Sequence, residues 1–433
     1  MRNCSKTQAV QFPFFYGWII VAIAMVAGII SSGVSNVTMA VVLKPISEDL
    51  GWSRSVTAAA ITLGSFGGGL LSPLFGPVAD RYGPRVLLPL GGLLVGLLSI
   101  GVSQSTQPWQ FYATFIPARA LTEFLLCGVV PYTAVANWFH AKRPRAMGLV
   151  AMSTPLGSVG TTLLFQFLVT HYGWRSAFLA LGLAFLILVV LPAAIFLRRQ
   201  PEDLGMYPDG IAPTLRSDEA ATSASQTPAS GERSWSRPEA MRTTALWLLV
   251  VGVFLASLGT GGIAFHTIAY FTDMKIAPTA AAGALSVMAL SGALGNGIWG
   301  MLAERMSPRS LSVTTTVLSA ASVALLMQVG SPIMAYAFGI LFGISARGGT
   351  AVLNQIMIAH YFGRRSFGAI SGVLEPFHKG GLGVGALVAG VGFDWSGNYR
   401  GVFLFFLASY LVSSVLVFFA RRPERERRGV MES

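Results

Sequence analysis

Apolar stretches separated by short polar breaks run along almost the whole chain, and twelve of them approach or exceed the roughly 20 residues a helix needs to cross a hydrocarbon layer. They fall at 16–43, 54–79, 86–106, 109–138, 146–170, 176–197, 244–270, 277–303, 310–329, 333–360, 366–393 and 401–420. The pattern predicts an all-α membrane protein with 12 transmembrane helices. One break differs from the rest. Over 198–242 the chain turns to Ser, Thr, Pro, Ala and mixed charge with no apolar period, the signature of a solvated linker. The expected organisation is a six-helix bundle over 1–197, a cytoplasmic linker over 198–242, a second six-helix bundle over 243–420 and a basic cytoplasmic tail over 421–433.

The two bundles are related. Gly76-x-x-x-Asp80-Arg81-x-Gly83-Pro84-Arg85 returns 224 residues later as Gly300-x-x-x-Glu304-Arg305-x-Ser307-Pro308-Arg309, each copy where one span ends and the next begins. Repeated halves of this kind are a common plan of secondary transporters, with the substrate site at the repeat interface. Gly76 permits close helix approach and Gly83 with Pro84 tightens the turn. Asp80, Arg81 and Arg85, with Glu304, Arg305 and Arg309 in the second copy, can pair across the two halves or cap helix termini, a mechanical role rather than a binding one.

Composition agrees with the pattern: 53% of residues are hydrophobic, 11% are charged, and there are 49 glycines. The net charge of +12 raises the question of nucleic acid, and its distribution answers it. With a cytoplasmic N-terminus, 22 of the 30 Lys and Arg lie on the cytoplasmic side, five lie outside, and Arg119, Arg347 and Lys379 lie within spans. That is the positive-inside bias, so the basic charge records topology and predicts no nucleic-acid partner. Cys4 and Cys127 are the only cysteines, which excludes a disulfide framework. The first span lacks a cleavage pattern and reads as retained. Short loops suit a multi-pass bacterial inner membrane protein; both termini are expected to be cytoplasmic and the protein a monomer. Trp52, Trp109, Trp174 and Trp395 recur near the outer ends of spans and read as interfacial anchors.

Twelve spans, the six-plus-six division and the Gly76–Arg85 motif resemble the major facilitator superfamily across essentially the whole chain. Within it, Tyr16-Gly17-Trp18, Lys44-Pro45-Ile46 with Gly51-Trp52-Ser53-Arg54, Asn137-Trp138-Phe139, Gly173-Trp174-Arg175 and Pro201-Glu202-Asp203-Leu204-Gly205 together resemble the bacterial monocarboxylate porter and oxalate/formate antiporter-like group. The resemblance implies two pseudo-symmetric bundles with a cavity bordered by spans 1, 4, 7, 10, 2, 5, 8 and 11. It also implies a substrate-facing role for Lys379. One departure stands out: members of the group often carry an Arg in span 8, and span 8 here has no charge before Glu304.

Five ionisable side chains lie well inside spans: Arg119 and Glu123 in span 4, Arg347 in span 10, and Glu375 and Lys379 in span 11, joined by His378. At about 1.5 Å per residue, Arg119 lies roughly 15 Å and Arg347 about 21 Å from the outer ends of their spans, and Lys379 roughly 20 Å from the inner end of its own. A charge at such depth costs at least about 2.5–3.5 kcal/mol and nearly always faces a partner or a wet cavity. Arg119 and Glu123 are four apart, and Glu375, His378 and Lys379 are spaced i, i+3, i+4, so each span can neutralise itself. Arg347 has no acid on its span; its face continues to Thr350 and Asn354, and its counter-charge must come from another helix or a ligand.

Arg347, Lys379, Arg119, Asn36, Tyr132 and Asn354 are therefore the expected substrate-binding residues, and Glu123, Glu375 and His378 the expected proton-coupling ones. The other reading makes the Arg119–Glu123 and Glu375–Lys379 pairs internal locks and His378 a neutral hydrogen-bonded side chain. Ser32, Ser35, Gln166 and Asn296 are further lining candidates that equally serve as interhelix hydrogen-bonders, and His266 reads as a gate or interface residue. No metal cluster, phosphate-cradling loop or nucleophile–base arrangement is evident, so no cofactor or catalysis is expected. The substrate expected is a small organic anion, with protons as a possible partner in coupling; a carrier or exporter of a neutral or larger compound, and a non-transporting sensor, are the alternatives.

Overall fold

The computed structural model describes residues 15–210 and 234–423; the side chains of Asn36, Val37, Arg54, Ser55 and Ala58 lie outside the described residues, as does Cys4. Among the described residues, ten helical stretches are long and apolar enough to cross a membrane. One of them, Arg143–Phe196, is two spans: its backbone leaves the helical region at Gly173 (φ 80°, ψ 165°), where a residue without Cβ turns the chain back. Phe367–Ser396 is also long enough, but its polar residues and glycines dilute its hydropathy below that of the ten. The chain is an all-helical, multi-pass membrane protein, with twelve spans among the described residues.

Spans 1, 4 and 10 are not plain α-helices, and neither is span 6, which carries a π-helical stretch at Phe185–Val190. Span 1 breaks at Ser35, which is extended (φ −72°, ψ 161°), between Gly17–Ser31 and Asn36–Leu50. Span 4 runs Pro108–Leu121, then a π-helical turn Thr122–Leu126, then Val129–Trp138. Span 10 repeats this plan with Pro332–Phe342, a π-helical turn Gly343–Arg347 and Thr350–Phe362. In both, an amide bonds the carbonyl five residues back, Cys127 to Thr122 at 3.0 Å and Gly348 to Gly343 at 2.9 Å. Such turns recur at functional positions because they re-aim side chains and loosen the ladder.

Two compact units divide the chain. The first comprises Met1–Gly68 with Val78–Arg233, and the second Gly69–Pro77 with Ser234–Ser433. The core of the second is built on Phe271, Phe338, Phe342, Phe406 and Tyr410, all buried. Large apolar side chains such as Leu70, Leu74, Leu163 and Leu387 are exposed, as lipid-facing surfaces require.

The linker departs from the solvated segment its composition predicts. Its first part is folded, with 3₁₀ turns at Pro201–Leu204 and Pro208–Gly210 and a buried Asp209. Its last part starts a short helix, Arg237–Met241, capped by Ser236 and Glu239. The expectation for 211–233, and for 424–433 of the tail, lies outside the described residues.

Candidate functional site

In the first unit, Arg119 and Glu123 form the i, i+4 ion pair that their spacing allows, Nη2 to Oε1 at 2.6 Å, with both side chains largely buried (9% and 13% exposed). Arg119 Nε also donates to Ser65 Oγ at 3.2 Å. The pair lies in a groove cut by span 2. A Cβ on Gly64 would stand 2.6 Å from Arg119 Cβ, and one on Gly68 would stand 2.7 Å from Glu123 Cβ. Gly64-x-x-x-Gly68 thus forms a small-residue stripe that lets span 2 seat the stems of both charged residues. Glu123 sits inside the π-helical turn, so the break in the ladder and the carboxylate coincide.

The second unit carries the other three charges. Arg347 closes the π-helical turn of span 10 and is exposed. Trp299 of span 8 donates to the Ile344 carbonyl inside the same turn at 2.8 Å, satisfying a backbone group that the turn leaves over. Thr350 and Asn354 follow Arg347 in the helix that starts beyond the Gly348–Gly349 turn. The Thr350 hydroxyl is buried without a hydrogen-bond partner. Among the described residues neither Arg347 nor Asn354 makes a side-chain hydrogen bond or ion pair. A cation, a hydroxyl and an amide of one span therefore keep hydrogen-bonding capacity unspent among the described residues, which suits a small oxygen-rich anion.

Glu375 has a partner that sequence reasoning missed. Gln355 Nε2 donates to Glu375 Oε1 at 3.2 Å, while Ser371 Oγ donates to Gln355 Oε1 at 2.7 Å. The Ser371 bond fixes the amide so that it presents its donor to the carboxylate. Gln355 lies one residue past Asn354 on span 10, and its spacing from Glu375 carries no signal in one dimension. Lys379 and His378 are half-buried on span 11, and a Cβ on Gly69 would stand 3.1 Å from Lys379 Cβ.

Other expected residues are distributed as follows. Tyr132 and Asn296 are buried, and the side chain of Asn36 lies outside the described residues. Ser32 and Ser35 are occupied at the break in span 1: Ser32 Oγ lies 2.5 Å from the Ile29 carbonyl and 3.0 Å from Thr161 Oγ1, and Ser35 caps Thr38. Gln166 is exposed and lines a surface groove with Glu48, Asp49 and Trp174 rather than the depth of span 5. Trp174 corrects the anchor reading. It is buried, its indole donates to Asp49 Oδ2 at 3.0 Å, and Arg175 bonds the same oxygen while lying over the Trp174 ring. Trp109 and Trp395 are exposed, as anchors are.

His266 bonds the Tyr399 hydroxyl through Nδ1 at 3.1 Å and the Ala386 carbonyl through Nε2 at 3.2 Å. Tyr399 lies between spans 11 and 12; burial, then the Asp273 and Asp394 carboxylates, push its hydroxyl above the usual tyrosine range.

In the loop motif, Gly76 meets the Gly368 carbonyl so closely that a Cβ would lie 2.5 Å from it, Gly83 adopts φ 74°, and Arg199 donates to the Asp80 carbonyl at 3.0 Å. Arg81 lies over the Tyr82 ring and Arg309 over Phe418, while Arg85, Glu304 and Arg305 are exposed.

Twelve spans in two units, with ionisable side chains held deep inside spans 4, 10 and 11, define a polytopic membrane carrier rather than an enzyme. The sequence profile of the Major Facilitator Superfamily matches residues 23–275 and 249–432, and the chain belongs to that family of secondary transporters. It is 25% identical over 400 residues to monocarboxylate transporter 13 of Bos taurus, covering 90% of this chain and 85% of the relative. It is likewise 25% identical over 394 residues to an agnestins efflux protein of Paecilomyces divaricatus, covering 87% and 78%. Among solved structures, the proton:xylose symporter XylE superposes with a TM-score of 0.70 at 12% identity over 94% of each chain, a likeness of fold alone.

Proposed function

We propose that this transporter carries a small organic anion, a mono- or dicarboxylate, by alternating access, with the anion coupled to protons or exchanged for a second anion. The observation that carries the reading is the set of unspent polar groups on span 10: an exposed Arg347 and an Asn354 without a partner among the described residues, and a buried, unpartnered Thr350 hydroxyl. In the second unit Arg347 and Lys379 outnumber Glu375 by one positive charge, and a monoanion cancels it. In the first unit Arg119 and Glu123 cancel each other. Asn36, Tyr132 and Asn354 complete the proposed substrate contacts. Glu123, Glu375 and His378 are the proposed coupling groups: a proton taken by either Glu adds a positive charge and so favours the anion. The resemblance to monocarboxylate transporters supports the substrate class.

The two loop motifs are proposed as latches, through Gly76, Asp80, Arg81, Gly83 and Arg85 and through Glu304, Arg305 and Arg309. The bundles over 1–197 and 243–420, a cytoplasmic linker and tail, a monomeric state and a bacterial inner membrane with cytoplasmic termini complete the proposal.

A second reading, a carrier or exporter of a neutral or larger compound, is favoured by the absence of charge in span 8 before Glu304 and by the likeness to an efflux protein. Uptake of radiolabelled lactate, pyruvate and oxalate into proteoliposomes, with and without a pH gradient and with an uncharged analogue as competitor, separates the two. Uptake of at least one anion that the uncharged analogue fails to inhibit supports the proposal. Transport of the uncharged compound alone contradicts it. Loss of the pH effect in Glu123→Gln or Glu375→Gln identifies the coupling carboxylate.

A further inference from the structure

The buried carboxylate of Asp209 lies outside the membrane spans and outside every role described so far. It is 8% exposed. Oδ2 accepts from the amides of His140 at 3.0 Å and Ala141 at 2.6 Å, and Oδ1 from that of Lys142 at 3.3 Å. These three amides form the loop between spans 4 and 5, immediately ahead of the helix that starts at Arg143. Amides at such a position have no intrahelical acceptor, and a carboxylate satisfies several at once. Asp209 reaches them from a left-handed backbone (φ 59°), a conformation uncommon outside glycine that requires an external cause.

The neighbours of this contact tie the same end of span 4 from other directions. Asn137 Nδ2 donates to the Arg199 carbonyl at 3.3 Å and Trp138 Nε1 to the Arg198 carbonyl at 3.1 Å. Phe15 packs edge-on against Phe139, and a Cβ on Gly210 would stand 2.9 Å from the Phe15 ring. Residues 198–210 thus run as a strap from the end of span 6 across the end of span 4, closed by Asp209. Span 4 is the helix that carries Arg119, the π-helical turn and Glu123.

We infer that Asp209 is a positioning residue for transport: its carboxylate holds the span 4–5 loop, and through it limits how readily span 4 changes conformation. The test needs no knowledge of the substrate. Full-length protein in lipid nanodiscs, in a Cys4→Ser background that leaves Cys127 of span 4 as the one thiol, is compared as wild type, Asp209→Gly and Asp209→Asn. Glycine keeps the left-handed backbone without strain and deletes the acceptor. Asparagine tolerates the same backbone and keeps one neutral acceptor. Hydrogen exchange of the amides of His140, Ala141 and Lys142 is expected to accelerate about tenfold or more in Asp209→Gly and less in Asp209→Asn. The rate at which a small maleimide alkylates Cys127 is expected to change in the same order. Unchanged exchange in Asp209→Gly overturns the strap. Accelerated exchange with a wild-type alkylation rate leaves a purely structural contact and overturns the control of span 4. Should Asp209→Gly fail to fold, Asp209→Asn decides by the same two readings.

Discussion

Whether the span 4 ion pair is a lock or part of the transport machinery is decided by removing its members singly and together. Arg119 and Glu123 meet at 2.6 Å with 9% and 13% of their side chains exposed. At an effective dielectric near 20, two unit charges at that distance attract by about 6 kcal/mol, and desolvating both offsets much of this. The net value of the pair is therefore small, while the loss of one member is not. Arg119→Ala leaves a buried carboxylate and Glu123→Ala a buried guanidinium, each costing about 3–5 kcal/mol. Arg119→Ala/Glu123→Ala strands no charge and is expected to recover at least half of that loss. The coupling read from the three variants is then at least about 4.5 kcal/mol, above the range of about 0.5–3 kcal/mol usual for contacting residues, because each single variant strands a buried charge. Thermal unfolding of purified protein followed by intrinsic tryptophan fluorescence measures the first comparison, and proteoliposome uptake measures the second. Stability recovered together with transport marks a lock; stability recovered without transport marks a site element. Losses that simply add in the double variant would refute the reasoning, because they would show that the two charges do not depend on each other.

Other predictions rest on single contacts. Gly68→Val places a Cβ 2.7 Å from Glu123 Cβ, against an ordinary separation of about 3.5–4.0 Å; spans 2 and 4 must part by about 1 Å at a cost of about 1–3 kcal/mol, and a thermal midpoint equal to wild type contradicts the groove. Trp174→Phe removes the indole donor to Asp49 and is expected to cost about 1 kcal/mol; Arg175→Ala, whose pair with Asp49 is partly exposed, is expected to cost less. The raised Tyr399 hydroxyl means that the folded state resists its ionisation, so stability is full below about pH 10 and falls as the pH rises through the folded value. Tyr399→Phe is expected to flatten that alkaline fall, and an unchanged slope would contradict the assignment.

Span lengths, the repeated loop motif and the i, i+4 spacing of Arg119 and Glu123 were legible in one dimension because each depends on local periodicity. Span 10 was legible in part: the lack of an acid near Arg347 is visible in the sequence, whereas its π-helical turn is not. Gln355 escaped because its partner Glu375 is on the next span, and nothing in their separation encodes the contact. Trp174 and Asp209 were misplaced for one shared reason. A Trp at the end of a span has the composition of an anchor, and a carboxylate among prolines and glycines has that of solvated chain. In both cases long-range polar contacts overrode composition, through Asp49 for the indole and through the amides of residues 140–142 for Asp209. The Gly64 and Gly68 stripe carried a readable signal in its four-residue spacing, but which side chains it would seat follows only from the packing of span 2 on span 4.

The central claim is that the unspent polar groups of span 10 receive an anion, and ligand-induced stabilisation measures it most directly. A panel of small carboxylates and their uncharged amides, added to wild type and to Arg347→Gln, is read as the shift in thermal midpoint. The account predicts that at least one carboxylate stabilises the wild type, that its amide does not, and that Arg347→Gln loses the shift while keeping the unliganded midpoint, since Arg347 is exposed and makes no ion pair among the described residues. Equal stabilisation of both proteins by the carboxylate, or stabilisation by the amide alone, would contradict it.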